Sequence, residues 1–68
     1  MKFILNEQLH ETSIHPLSVE EMLGEQGLAQ REGIAVAIDQ EIVPKSEWSR
    51  QHIRENQKVL IITATQGG

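Results

Sequence analysis

Val59-Leu60-Ile61-Ile62 sets the architecture expected of this chain. All four side chains are apolar, so both faces of a strand built from them need cover, as in the centre of a sheet. The next residues, Thr63-Ala64-Thr65-Gln66-Gly67-Gly68, reverse that character. Nothing after Thr63 can pack into a core, and residues 64–68 reach at most about 17 Å when extended, at about 3.4 Å each. The expectation is a folded body over 1–63 that presents a flexible tail over 64–68, ending in Gly-Gly. Glycine has no Cβ, so such a tail can thread a narrow slot with its terminal acyl carbon unshielded. The Gly68 carboxylate is therefore the candidate functional group, with Thr65, Gln66 and Gly67 as the residues a partner would grip.

Working outward, Ile34-Ala35-Val36-Ala37-Ile38 has strict strand alternation, large side chains on one face and alanines on the other. Upstream, Ser18-Val19-Glu20-Glu21 has the form of a capping box, with Ser18 as the cap and Glu21 at the third helical position. Leu17 and Met22 occupy the hydrophobic-staple positions around it, and Gly27 stands where a left-handed C-cap falls, which predicts a helix over 19–26. Phe3-Ile4-Leu5 reads as a first strand, Asn6-Glu7-Gln8 as a hairpin turn and residues 9–14 as a returning edge strand. Asp39-Gln40-Glu41 is a turn, and Ile42-Val43 a short strand that Pro44 ends because proline cannot donate to a ladder. Ser46-Glu47-Trp48 reads as a capped helical turn, and residues 50–56 as a polar connection anchored by Ile53. The sum is an α+β domain, a mixed sheet of four to five strands crossed by one main helix.

One helix covers only one face of such a sheet. Alternation separates Val59 and Ile61 from Leu60 and Ile62, so the last strand cannot place both pairs under it. Leu60 and Ile62 beside the small Ala35 and Ala37 form a candidate docking face on the far side.

Composition narrows the functional classes. Ten acids against six bases give a formal charge of −4. Phosphate binding needs clustered lysine and arginine, so nucleic acid is not an expected partner. There is no cysteine, which removes disulfides, thiolate nucleophiles and cysteine-ligated metals. His10, His15 and His52 lack helical ligand spacing, so no metal site is expected. No apolar run approaches the ~20 residues of a membrane span, and the opening residues lack signal-peptide order. The expected setting is cytoplasmic, away from membranes. Glu20, Glu21 and Glu25 read equally as a solvated helix face or as a match for a basic groove. Trp48 reads as a core residue or as a partner anchor. No side-chain constellation has the logic of a catalytic centre, so the chain reads as a substrate and carrier whose partners do the chemistry, not as an enzyme.

Val36-Ala37-Ile38-Asp39-Gln40-Glu41-Ile42-Val43-Pro44-Lys45-Ser46-Glu47-Trp48, followed by the apolar strand and Gly67-Gly68, resembles the ThiS family of thiamine-biosynthesis sulfur carriers. Asp39 stands where that family usually has asparagine, Asn56-Gln57 replaces its common Gly-Asp, and residues 8–17 match poorly. The resemblance implies a ubiquitin-like β-grasp fold, which the strand pattern by itself does not separate from other small α+β folds. It also implies a chemistry. An ATP-dependent adenylyltransferase (ThiF-like) would activate the Gly68 carboxylate, a persulfide-bearing donor protein would supply sulfur, and the thiocarboxylate would serve a thiazole synthase (ThiG-like). ATP is then used by the partner, and no cofactor is bound by this chain. Two alternatives stay open at this point: a molybdopterin-synthase small subunit (MoaD-like) and a ubiquitin-like protein modifier.

Overall fold

A computed structural model describes residues 1–63. The strands are β1 (Lys2–Leu5), β2 (Gln8–Glu11), β3 (Leu17–Ser18), β4 (Ile34–Ile38), β5 (Glu41–Val43), β6 (His52–Ile53) and β7 (Lys58–Thr63), with one helix, α1 (Val19–Glu25). Five strands form the main sheet in the order β2-β1-β7-β4-β5, and β3 pairs with β6 in a separate two-stranded ribbon. β7 is central, parallel to β1 and antiparallel to β4. The apolar run Val59-Leu60-Ile61-Ile62 therefore occupies the position its composition demands.

The helix forms where its caps say it should. Ser18 Oγ accepts from Glu21 N at 3.0 Å, and Glu21 Oε1 accepts from Ser18 N at 3.0 Å, so both halves of the capping box are made. Gln26 is the C-cap, and Gly27 follows at φ +74°, a conformation glycine enters without a Cβ penalty. Val19, Met22 and Leu23 are the buried helix residues; they share the core with Phe3, Leu5, Leu17, Val36, Ile38, Trp48, Ile53 and Val59. Trp48 is thus a core residue, and its Nε1 donates to the Val43 carbonyl at 3.0 Å.

Three local expectations are corrected. β2 stops at Glu11 instead of running to residue 14, because its last partner on β1 is Lys2, opposite Glu11. The chain there turns inward at the buried Thr12, whose hydroxyl donates to Glu25 Oε2 at 2.9 Å and accepts from Ile14 N. The connection over 50–56 contains β6, which pairs Ile53 with Leu17 and His52 with Ser18. The helical turn spans Lys45–Glu47, a 3-10 turn one residue early, with Pro44 at its N-cap and no side-chain cap. Its first bond runs from Glu47 N to the Pro44 carbonyl. Ala37 lies on the sheet face away from the helix, where its larger neighbours leave only 6% of it exposed.

Candidate functional site

β7 carries the chain toward the tail, and three neighbours hold it. On one side β4 pairs with it along its length, from Ile38 opposite Val59 to Ile34 opposite Thr63. The other supports come from two tight hairpins. Leu5 and Gln8 flank a two-residue turn with Asn6 at φ 48° and Glu7 at φ 69°; Ile38 and Glu41 flank another with Asp39 at φ 49° and Gln40 at φ 74°. Two consecutive positive φ values belong to the turn type whose twist matches paired strands. Asparagine and aspartate tolerate that region better than other side-chain-bearing residues, which is why neither turn needs glycine. Both turn residues also reach β7. Asn6 Oδ1 accepts from Ile61 N at 2.8 Å, and Asp39 Oδ1 accepts from Lys58 N at 3.0 Å. Gln57 Nε2 adds a longer bond to Asp39 Oδ2. The departure from the family pattern at Asp39 thus falls on a turn residue that keeps a bracing acceptor.

Register fixes the two faces of the sheet. Phe3, Leu5, Val36, Ile38 and Val59 are core, so Ile4, Ala35, Ala37, Leu60 and Ile62 face away from the helix. Leu9 pairs with Ile4, and Ile42 pairs with Ala37, which puts both on that same open face. Leu9, Ile42, Leu60 and Ile62 are 65%, 62%, 46% and 43% exposed and are the large exposed apolar residues of the described chain. All four lie on one side, in a band that crosses the sheet from β2 to β5. Leu60 and Ile62 stand where strand alternation put them, and Ala35 is half-buried beside them. Ala37, shielded by its neighbours, is part of a shallow hollow of about 410 Å³ lined also by Ile4, Leu60, Lys58, Glu7 and Gln40. Leu9 and Ile42 were missed as members of this face. Their signal was parity, since each pairs with a residue that faces away from the core.

Lys58 and Lys2 have the open-face parity, as does Glu11, which pairs with Lys2; Glu20 and Glu21 lie in the first turn of the helix that covers the other face. Among the described residues no three histidine, aspartate or glutamate side chains stand together as a metal site would require, and no helix is long and apolar enough to cross a membrane. Thr65, Gln66, Gly67 and Gly68 lie outside the described residues, as does the expected tail over 64–68.

The ThiS family model matches residues 3–68. The chain belongs to the ThiS family. Two solved structures are similar to this ThiS-family chain. The crystal structure of the thiamine biosynthesis protein ThiS from Geobacter metallireducens matches with a TM-score of 0.85 at 20% identity, covering 100% of both chains. The solution structure of a thiamine biosynthesis protein from Geobacter metallireducens gives a TM-score of 0.81 at 20% identity, covering 100% of this chain and 88% of that one. At that identity the likeness is one of fold, and the fold is the β-grasp. No curated protein matches the chain.

Proposed function

We propose that this protein is the sulfur carrier for thiazole formation in thiamine biosynthesis, and that Gly68 carries the sulfur as a thiocarboxylate. The observation behind the reading is the ThiS family match, which runs through Gly67 and Gly68. A carboxylate is a poor acyl donor, because an oxygen would have to leave as oxide. Adenylation by an ATP-dependent, ThiF-like partner supplies AMP as a leaving group, and an unshielded glycine carbonyl accepts attack by a sulfur nucleophile. The persulfide's outer sulfur displaces AMP to give an acyl disulfide, and a thiol then cleaves its S–S bond, leaving a disulfide on the donor side and releasing the thiocarboxylate. That thiocarboxylate is ionised at neutral pH, and its sulfur is the stronger nucleophile for delivery to a ThiG-like thiazole synthase.

In this reading the chain holds no cofactor and catalyses nothing itself. Ala35, Leu60 and Ile62, with Ala37 beneath them, form the surface on which a partner seats, and Thr65, Gln66 and Gly67 pass through the partner's channel. Burying an apolar patch stabilises a complex by about 25 cal/mol per Å² before association costs are counted. A cytoplasmic setting follows from this role. Removing Gly68 tests the reading. The shortened protein should fold as before by circular dichroism and should no longer be adenylated by the partner enzyme. Undiminished adenylation of the new terminus would refute the proposal.

A further inference from the structure

The central strand is paired on both sides only part of the way along. Asp39 N donates to the Lys58 carbonyl, so strand alternation directs the backbone groups of Lys58, Leu60 and Ile62 toward β4. Those of Val59, Ile61 and Thr63 point the other way, toward β1. There the ladder starts with Ile4 N donating to Gln57 O and continues with Asn6 N donating to Val59 O at 2.9 Å. β1 ends at Leu5, and the chain turns back through Asn6 and Glu7. The Asn6 side chain supplies one more rung, to Ile61 N. The next groups in the series are the Ile61 carbonyl and the Thr63 amide, and neither has a hydrogen-bond partner among the described residues. Ile62 and Thr63 are exposed, so this half-edge is open to solvent.

We infer that the β1-side edge of Ile61–Thr63 is a strand-addition slot, and that its occupant is an extended main-chain segment of the enzyme that activates Gly68. An unpaired acceptor and donor, spaced as a ladder requires, form a template for one further strand. The slot offers too little surface to hold a partner alone, since a stable interface buries about 1,200 Å² or more. It must therefore belong to a larger contact, and two pieces of one adjoin it. The apolar band reaches it through Ile62. The five residues of the tail begin at its far end and reach at most about 17 Å, at about 3.4 Å each, so whatever binds Gly68 has to approach the root of the tail. A second copy of this chain fits less well, because each copy carries a net charge of −4 and would cover that root. A strand added here would hold residues 61–63 extended and set the direction in which the tail enters the active site.

The inference rests on the proposed function, and the test separates the two. Thr63→Pro removes the amide donor at the slot and breaks no bond to β4, because that amide points away from β4. Binding to the purified adenylyltransferase and adenylate formation would be measured for the wild type, Thr63→Pro and Thr63→Ala, with amide spectra to check the fold. Should proline disturb the sheet, an amide-to-ester replacement between Ile62 and Thr63, made by semisynthesis, removes the same donor with less steric change. The expected result is roughly a tenfold loss of affinity on removing the donor, and a loss of less than about twofold for Thr63→Ala. Wild-type affinity in both the proline and ester variants overturns the slot and leaves the carrier function standing. If removing the donor abolishes self-association and leaves enzyme binding intact, the occupant is a second copy and the inference fails. A wild type that is neither bound nor adenylated removes the functional reading, and the inference falls with it.

Discussion

Asn6 joins backbone strain to strand bracing in one residue. It sits at φ 48°, where alanine is disfavoured by about 1–2 kcal/mol and asparagine by about 1 kcal/mol less. It also provides the acceptor for Ile61 N, a bond of about 1 kcal/mol net. Asn6→Ala should therefore lower stability by about 2 kcal/mol, a fall in Tm of about 10 °C for a domain this small. Asn6→Gly relaxes the backbone and loses only the bond, so it should cost about half as much. Equal losses in thermal unfolding of the two variants would contradict the strain component. A second residue-scale prediction concerns Glu21. The Ser18 backbone N–H donated to its carboxylate, and then the Ser18 side chain, hold its pKa below the ordinary value; burial works weakly against them and His52 weakly with them. The unfolded chain binds that proton more readily. The stabilisation is thus complete above the ordinary carboxylate value and is lost as pH falls through the lowered one. Glu21→Gln keeps an acceptor for Ser18 N and cannot titrate, so its stability should fall less steeply than the wild type's on acidification below about pH 4.5. Urea titrations across that range would show this, and parallel pH dependence would contradict it.

Within its six residues β7 faces the core on one side and solvent on the other. Val59 is buried against the helix side, while Leu60 and Ile62 are half open on the far side. Leu60→Glu should cost about 1 kcal/mol of stability or less, since the carboxylate stays hydrated. The same change should weaken binding to the activating enzyme by roughly tenfold or more, as loss of a central apolar contact does. Outright unfolding would place Leu60 in the core, and normal binding would move the docking surface elsewhere. Elements with a full period of side chains were legible in the sequence: the five-residue alternation of β4, the capped helix and the doubly apolar β7. The β3–β6 ribbon was not, because two residues carry no periodicity and the pairing of Leu17 with Ile53 joins positions far apart in the chain. The open face was legible through Leu60 and Ile62 and incomplete without Leu9 and Ile42, whose place depends on strand register. Ala37 has the expected parity, and a small side chain between larger neighbours is shielded even on an open face.

Taken as a whole, the molecule is a small sheet with one face committed to its helix and the other left apolar. A chain of this length buries only about 60% of its unfolded surface, so its core cannot spare much. It leaves Leu9, Ile42, Leu60 and Ile62 in water nonetheless. In the proposed role, that cost is what a carrier incurs when its partners must grip it and release it. Two hairpin turns and β4 hold the central strand, which then runs toward Gly68. Sulfur on that terminal glycine can be read by intact-mass analysis after incubation with ATP, the adenylyltransferase, a persulfide sulfur donor and a thiol reductant. The expected result is a mass gain equal to the exchange of one oxygen for one sulfur, localised by fragmentation to Gly68 and absent when ATP is withheld. An unchanged mass under conditions where the enzyme is active on a known carrier, or sulfur found on any other residue, would contradict it.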